Sequence, residues 1–195
     1  MFFVIAGLGN PGRRYSGTRH NAGFAVVERL AAAEGWNFGR RRFSSLVAEG
    51  RYGRHHLLLL QPQTFMNLSG QAVAAAVRFY RLPLEQLAVV HDDVDLEVGR
   101  LQLRRGGGTG GHRGLDSIVQ SLGGAGFVRL RVGAGRPEPG VDTADHVLAP
   151  LAPPQQQLWQ DALERAVPAL KCWLDEGLEM AMNRYNPWPV KEEKS

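Results

Sequence analysis

Hydrophobic positions along the chain follow two alternating rhythms, and the alternation itself predicts the architecture. Phe2 to Leu8 is an apolar, partly β-branched run that ends in Gly9-Asn10-Pro11-Gly12, a strand followed by a tight turn. From Ala22 to Glu34 the rhythm changes: Phe24, Val27, Leu30 and Ala31 recur at helical spacing, and Gly35 stops the helix. Ser44 to Glu49 and His55 to Leu60 read as two strands joined across Gly50 and Gly53. Pro62 ends the second strand. Asn67 or Ser69 can then cap a helix through about Tyr80, with Ala72, Val73, Ala76, Val77 and Tyr80 on its buried face. Leu87 to Val90 is a short apolar strand ending at His91-Asp92-Asp93, and Arg100 to Arg104 alternates like a strand before a run of glycines. Leu115 to Leu122 reads as a helix and Phe127 to Val132 as a strand. A Pro/Gly-rich stretch from Gly135 to Pro154 follows, then helix to about Arg184, with Pro168 opening a second helical segment.

Strands that alternate with helices, and that look buried on both faces, predict an α/β three-layer sandwich: a twisted, mostly parallel (mixed) sheet flanked by helices. No repeat or long linker divides the chain, so residues 1–185 are expected to form one domain and residues 186–195 a polar, frayed tail. Sites in such sheets form at the carboxyl ends of strands. Here those places are the loop after Leu8, the segment after Leu60, the loop after Val90 and the glycine loop.

Composition narrows the function classes. The longest apolar runs, such as Leu57 to Leu60, are too short to cross a bilayer, and the opening Met-Phe-Phe-Val-Ile reads as a first strand rather than a signal peptide. Cys172 is the single cysteine, which excludes an internal disulfide and points to a reducing cytoplasm. The net charge is +4 and comes almost entirely from arginine, the better fork for phosphate, so a polyanionic partner is compatible but not required. The run Arg40-Arg41-Arg42 fits either contact with such a partner or a solvated surface.

Five constellations carry candidate chemistry. Gly7-Leu8-Gly9-Asn10-Pro11-Gly12 has the glycine spacing of a dinucleotide fingerprint, but no helix opens directly after it, which argues against a Rossmann-type oxidoreductase. The turn can instead present Asn10 at the sheet edge. In Thr18-Arg19-His20-Asn21, His20 can lie above the edge where the strand ending at Asp92 stops; a carboxylate on one ring nitrogen leaves the other free to deprotonate water. No G-x-S-x-G elbow occurs, so direct attack by water is favoured over an acyl-enzyme. In His91-Asp92-Asp93-Val94-Asp95, strand alternation turns His91 and Asp93 to one face and Asp92 to the other. That leaves Asp92 as the working carboxylate, with the others in turn structure or solvent, and no metal site. Phe65-Met66-Asn67-Leu68-Ser69-Gly70 is either a helix cap or a pocket wall, Asn67 offering an amide to a peptide backbone or oxyanion. Arg104-Arg105, the glycines, His112 and Arg113 make either a flexible loop or an anion site, without the Lys-Ser/Thr ending of a nucleotide P-loop.

Taken in order, Gly-Leu-Gly-Asn-Pro-Gly, Tyr15, Thr-Arg-His20-Asn, Phe-Met-Asn67-x-Ser-Gly, His-Asp92-Asp-x-Asp and Gly-Gly-His112-x-Gly-Leu resemble the bacterial peptidyl-tRNA hydrolase family from Met1 to about Arg184. The resemblance implies a monomeric, cofactor-free cytoplasmic enzyme that hydrolyses the ester between peptide and tRNA, recycling tRNA from prematurely released peptidyl-tRNA. It implies that His20 activates water, that Asp92 holds it in its basic form, and that Asn10 separates N-blocked from ordinary aminoacyl-tRNA. Asn67 would bind the peptide main chain beside Met66, Tyr15 and Phe65 would flank the terminal nucleotide and peptide, and Arg104 with Arg131 would clamp the tRNA 5′-phosphate. Arg113 stands where members commonly carry asparagine, and Thr109 where some carry histidine; Arg113 could touch RNA phosphate instead. The alternative is a non-catalytic RNA-binding relative of the same fold.

Overall fold

The computed structural model describes residues 1–188. Its seven-stranded sheet comprises β1 (Phe2–Gly7), β2 (Arg40–Arg42), β3 (Ser45–Tyr52), β4 (His55–Pro62), β5 (Leu87–Asp93), β6 (Leu101–Arg105) and β7 (Val128–Gly133), in the order β2-β3-β4-β1-β5-β7-β6. The central strands β4, β1, β5 and β7 run parallel, while β2, β3 and β6 are antiparallel additions at the two edges. The helices are α1 (Ala22–Ala33), α2 (Ser69–Tyr80), α3 (Arg113–Leu122), α4 (Thr143–Leu148), α5 (Pro153–Glu176) and α6 (Leu178–Tyr185).

Strand alternation divides the core into two layers. Ile5, Leu57, Leu59, Val90 and Val132 face α1 and α5, where Val27, Leu30, Trp159, Leu170 and Trp173 meet them. Val4, Ala6, Leu58, Leu60 and Val89 face the opposite way, onto Val73 and Val77 of α2 and Leu115 and Ile118 of α3. Each such fully buried aliphatic side chain contributes about 1.5–3 kcal/mol relative to exposure, so both layers are needed to hold the central strands. The predicted three-layer sandwich is what forms.

One close approach positions the functional edge. A Cβ on Gly23 would lie 2.1 Å from the Leu8 amide nitrogen and 2.4 Å from the Val90 carbonyl oxygen, and one on Gly7 would lie 2.2 Å from the Gly23 oxygen. Only glycine lets the first turn of α1 rest directly on β1 and β5. The Leu8 amide donates to Val90 O (2.9 Å) and the Phe24 amide to Leu8 O (3.2 Å), sealing the junction. Residues just before α1 are thereby delivered to the carboxyl ends of those two strands.

Several elements depart from the sequence reading, β3 among them, since it runs through Gly50 to Tyr52. Neither Asn67 nor Ser69 caps α2: the helix is entered through a 3-10 turn at Met66–Leu68, Leu68 holds the cap position without a side-chain bond, and Ser69 is already helical. Pro168 does not open a new segment, because α5 runs through it and the break falls at Gly177, whose φ of 91° favours glycine. Packing of Trp159, Leu163, Leu170 and Trp173 holds the helix across the missing proline donor. The stretch from Gly135 to Pro154 is also not all loop; it contains α4, begun by the Asp142 carboxylate accepting from the Ala144 amide at 2.8 Å.

The basic run Arg40–Arg42 is the edge strand β2, where Arg40 and Arg42 pair with Glu49 and the Arg42 guanidinium lies over the rings of Phe43, Phe79 and Tyr80. The expected fraying beyond Asn186 falls mostly outside the described residues. Asn186 itself is tied to β6 by bonds to the Leu103 amide (2.6 Å) and carbonyl (2.9 Å).

Candidate active site

The carboxyl edge of the sheet carries a cavity of about 600 Å³. It gathers Asn10, Tyr15, His20, Phe65, Met66, Asn67, Asp92 and Arg113, from four separate stretches of sequence, into one place. Its far wall is α4, through Val147 and Leu148. Arg104 and Arg131 are not there. They line a second cavity of about 180 Å³, together with Arg129, His91 and Asp93.

Within the main cavity, Asp92, the penultimate residue of β5, is almost fully buried and binds two imidazoles. His20 Nδ1 lies 3.0 Å from Asp92 Oδ1 and 3.2 Å from Oδ2, and His112 Nε2 lies 3.1 Å from Oδ1. The tautomers follow from the bonds. His112 occupies the N-cap of α3, and its Nδ1 accepts from the amides of Gly114 (3.1 Å) and Leu115 (3.4 Å). Its Nε2 must then carry the proton that it donates to Asp92. His20 likewise donates from Nδ1, which leaves Nε2 with a lone pair and, among the described residues, no hydrogen-bond partner. Burial pushes the Asp92 carboxyl pKa up, but the two imidazoles outweigh it and hold the group far below the usual carboxylate range.

The potential ligand atoms of His20, Asp92 and His112 lie close enough together to raise the question of a metal. The bonding pattern fits one poorly. With His112 Nδ1 accepting from backbone amides and Nε2 protonated, this ring has no lone pair left for a metal.

His20 and Asn10 are held by residues to which the sequence reading assigned no role. Asn21 accepts from the Asn10 amide (2.9 Å) and donates to the Asn10 carbonyl (3.0 Å), so the Asn10 backbone is fixed at the cavity wall. Arg19, next to His20, is buried and donates to the carbonyls of His146 (3.1 Å), Ala149 (3.2 Å) and Pro150 (3.4 Å) and to Gln155 Oε1 (3.2 Å). It joins the His20 turn to the end of α4. No sequence signal marks these bonds, since the partners lie up to 136 residues away. His112 was legible only as part of a motif; its partner across the fold was not.

Strand alternation separates Asp92 from His91 in the HDDVD segment, while Asp93 borders both cavities. Asp92 points to His20, whereas His91 and Asp93 face the arginines. Asp93 pairs with Arg131 Nε at 2.7 Å and accepts from the Asp95 amide at 2.9 Å, so it serves turn structure as expected. His91 is neither in the turn nor in solvent. It is fully buried, donates from Nδ1 to the Asp92 carbonyl at 2.7 Å and packs edge-on against His112. Burial first, and the neighbouring His112 second, push its pKa down to about 3.

Asn67 sits on the 3-10 turn before α2, exposed beside Met66, and that turn is pressed against α3. A Cβ on Gly114 would come within 2.6 Å of the Met66 sulfur, and one on Gly70 within 2.0 Å of the Ser117 carbonyl. These two glycines bring the Asn67 turn and the His112 cap to one rim. Phe65, 77% exposed, and Leu148 give that rim an apolar lip.

A family model described as peptidyl-tRNA hydrolase matches residues 4–194. The chain belongs to the peptidyl-tRNA hydrolase family. It is 52% identical over 185 residues to the peptidyl-tRNA hydrolase of Desulforudis audaxviator, covering 95% of this chain and 93% of that one. It is 47% identical over 184 residues to the enzyme of that name from Caldanaerobacter subterraneus, covering 94% and 99%. The crystal structure of peptidyl-tRNA hydrolase from Acinetobacter baumannii superposes with a TM-score of 0.91 at 38% identity, over 96% of this chain and 95% of that one. The mixed sheet and its helices are therefore the peptidyl-tRNA hydrolase fold. Among the described residues no helix is long and apolar enough to cross a membrane.

Proposed function

We propose that the chain hydrolyses the ester bond joining a peptide to tRNA, with His20 as general base. The activity rests on the family membership; the assignment of roles rests on one observation above all, the His20–Asp92–His112 bond series, which leaves His20 Nε2 free and basic at the cavity. A water on Nε2 gives up a proton and attacks the ester carbonyl carbon. Asp92 stabilises the resulting imidazolium. The tetrahedral oxyanion takes hydrogen bonds from the amides of Asn67 and Asn10. Collapse breaks the bond to the terminal ribose oxygen, which receives the proton back from His20, leaving free tRNA and a peptide carboxylate.

Substrate placement follows the walls. The peptide lies along Asn67, Met66 and the apolar lip of Phe65, with the terminal nucleotide against Tyr15. Arg113 on the rim offers a cation to RNA phosphate. Arg104 and Arg131, in the second cavity, take the 5′-phosphate. The same reading has the protein acting as a cytoplasmic monomer that recycles tRNA in translation.

The deciding assay is hydrolysis of an N-acetyl-aminoacyl-tRNA beside its unblocked counterpart. Wild type cleaves the blocked substrate alone, and His20→Ala, still folded and still binding tRNA, loses about 10²- to 10⁴-fold in rate. A folded wild type that binds tRNA without cleaving it is instead the RNA-binding relative.

A further inference from the structure

Arg129 takes no part in the chemistry above, yet it is the largest fully buried side chain among the described residues. It stands in β7, 1% exposed, and no carboxylate among those residues pairs with it. A buried charge is costly unless it is bonded. Arg104 and Arg131 share its cavity and add like charge, offset in part by Asp93, which pairs with Arg131. What the guanidinium holds is backbone: Nη1 donates to the Gly108 carbonyl at 2.7 Å and Nη2 to the Gly107 carbonyl at 2.9 Å, while the Phe127 ring lies beneath at 5.0 Å.

That backbone belongs to the glycine loop between β6 and α3. Gly106, Gly107, Gly110 and Gly111 all have positive φ, a region open to glycine with little cost and little preference. The loop's first residue is fixed, Gly106 accepting from Arg104 Nε (3.0 Å) and donating to the Phe127 carbonyl (3.0 Å), but neither bond reaches Gly107 or Gly108. Arg129 grips it at two adjacent carbonyls. The loop then carries Thr109, Gly110 and Gly111 along the main cavity and ends at His112, whose amide donates to the Thr109 carbonyl at 3.0 Å.

We propose that Arg129 is a positioning residue for the hydrolysis: by fixing the glycine loop from below, it sets His112 Nε2 on Asp92 and through Asp92 orients His20. Arg129 does not line the main cavity, where the ester is cleaved; it acts there only through the loop. The inference rests on the reading of His20 and Asp92 as the water-activating pair.

The test is a double-mutant cycle between Arg129→Gln and His112→Ala, run on N-acetyl-aminoacyl-tRNA stripped of its 5′-phosphate so that the arginine cavity does not enter the comparison. Losing a hydrogen bond to a charged group lowers kcat about ten- to hundredfold, so Arg129→Gln is expected to show that loss with KM within about twofold. In the His112→Ala background it then changes kcat less than about twofold further, because both substitutions break one connected series. Nitrogen NMR of the imidazoles reports the same event: His112 is a single Nε2–H tautomer in wild type and a mixture in the variant. If Arg129→Gln does not fold, Arg129→Lys carries the same cycle, since a point-like ammonium does not span two carbonyls as the planar fork does. Additive losses, or a variant with lowered thermal stability but unchanged kcat and tautomer, overturn the proposal. His20→Ala in the same assay tests the underlying reading separately: if that variant keeps wild-type turnover, it is the base assignment that fails.

Discussion

His112 Nε2 lies 3.1 Å from the same Oδ1 of Asp92 that receives the proton of His20 Nδ1 at 3.0 Å. One carboxylate oxygen thus accepts from two imidazoles, and His112 is itself locked by the helix amides it caps. Removing it frees Asp92 to rotate and leaves a buried carboxylate short of a donor. His112→Ala is expected to lower kcat about ten- to hundredfold, the cost of one hydrogen bond to a charged group, while KM changes little. Steady-state kinetics on N-acetyl-aminoacyl-tRNA measure the split; a rise in KM alone contradicts it.

His91 makes stability depend on pH. Its folded pKa, near 3, lies below the ordinary value of 6.5, so between those values the unfolded chain binds a proton that the folded one refuses. Its contribution is fully present above pH 6.5 and falls away as the pH drops toward 3. Urea midpoints are expected to decline from pH 7.5 to pH 4.5, and His91→Asn, which does not titrate, to decline less. Parallel curves for the two proteins would remove His91 as a source of the acid limb.

Arg19 ties α4 to the His20 turn through three carbonyls and Gln155. Arg19→Met is expected to leave those groups without their charged donor and to cost about 1–3 kcal/mol. The loss should appear locally as well, as faster proteolysis between residues 135 and 152. Urea unfolding with limited proteolysis checks both, and an unchanged cleavage pattern would mean that α4 is held by other contacts.

Arg113 is an exposed cation on the rim of the main cavity. If it meets an RNA phosphate, Arg113→Asn lowers the slope of log KM against log salt by about 0.7–0.9, the release of one counterion. The measurement is KM for the same substrate across a salt series. An unchanged slope assigns Arg113 to solvent.

Sequence alone determined the elements that depend on local rules. Apolar runs between glycine and proline breaks marked β1, β4, β5 and β7, and helical spacing marked α1, because burial on both faces leaves a direct imprint on composition. The same logic placed the site at the strands' carboxyl edge and turned Asp92 away from His91 and Asp93. Short motifs pointed to Asn10, His20, Asn67 and Asp92, and the fold brings all four to the main cavity. Local signals failed where a distant contact prevailed: core packing carried α5 through Pro168, and the 3-10 turn at Met66 took the place of a side-chain cap on α2.

Only the tertiary structure decided which groups meet. His112 reaches Asp92, Arg19 reaches α4, Asn21 fixes Asn10 and Arg129 holds the glycine loop. Each of these is a hydrogen bond between residues separated by at least ten positions, and directional bonds of that kind leave no periodic trace in a sequence. They exist because Gly7 and Gly23 let α1 rest on the sheet, and because Gly70 and Gly114 press the Asn67 turn against α3. The absent side chains at these glycines bring the strand ends, and with them the chemistry, to one edge.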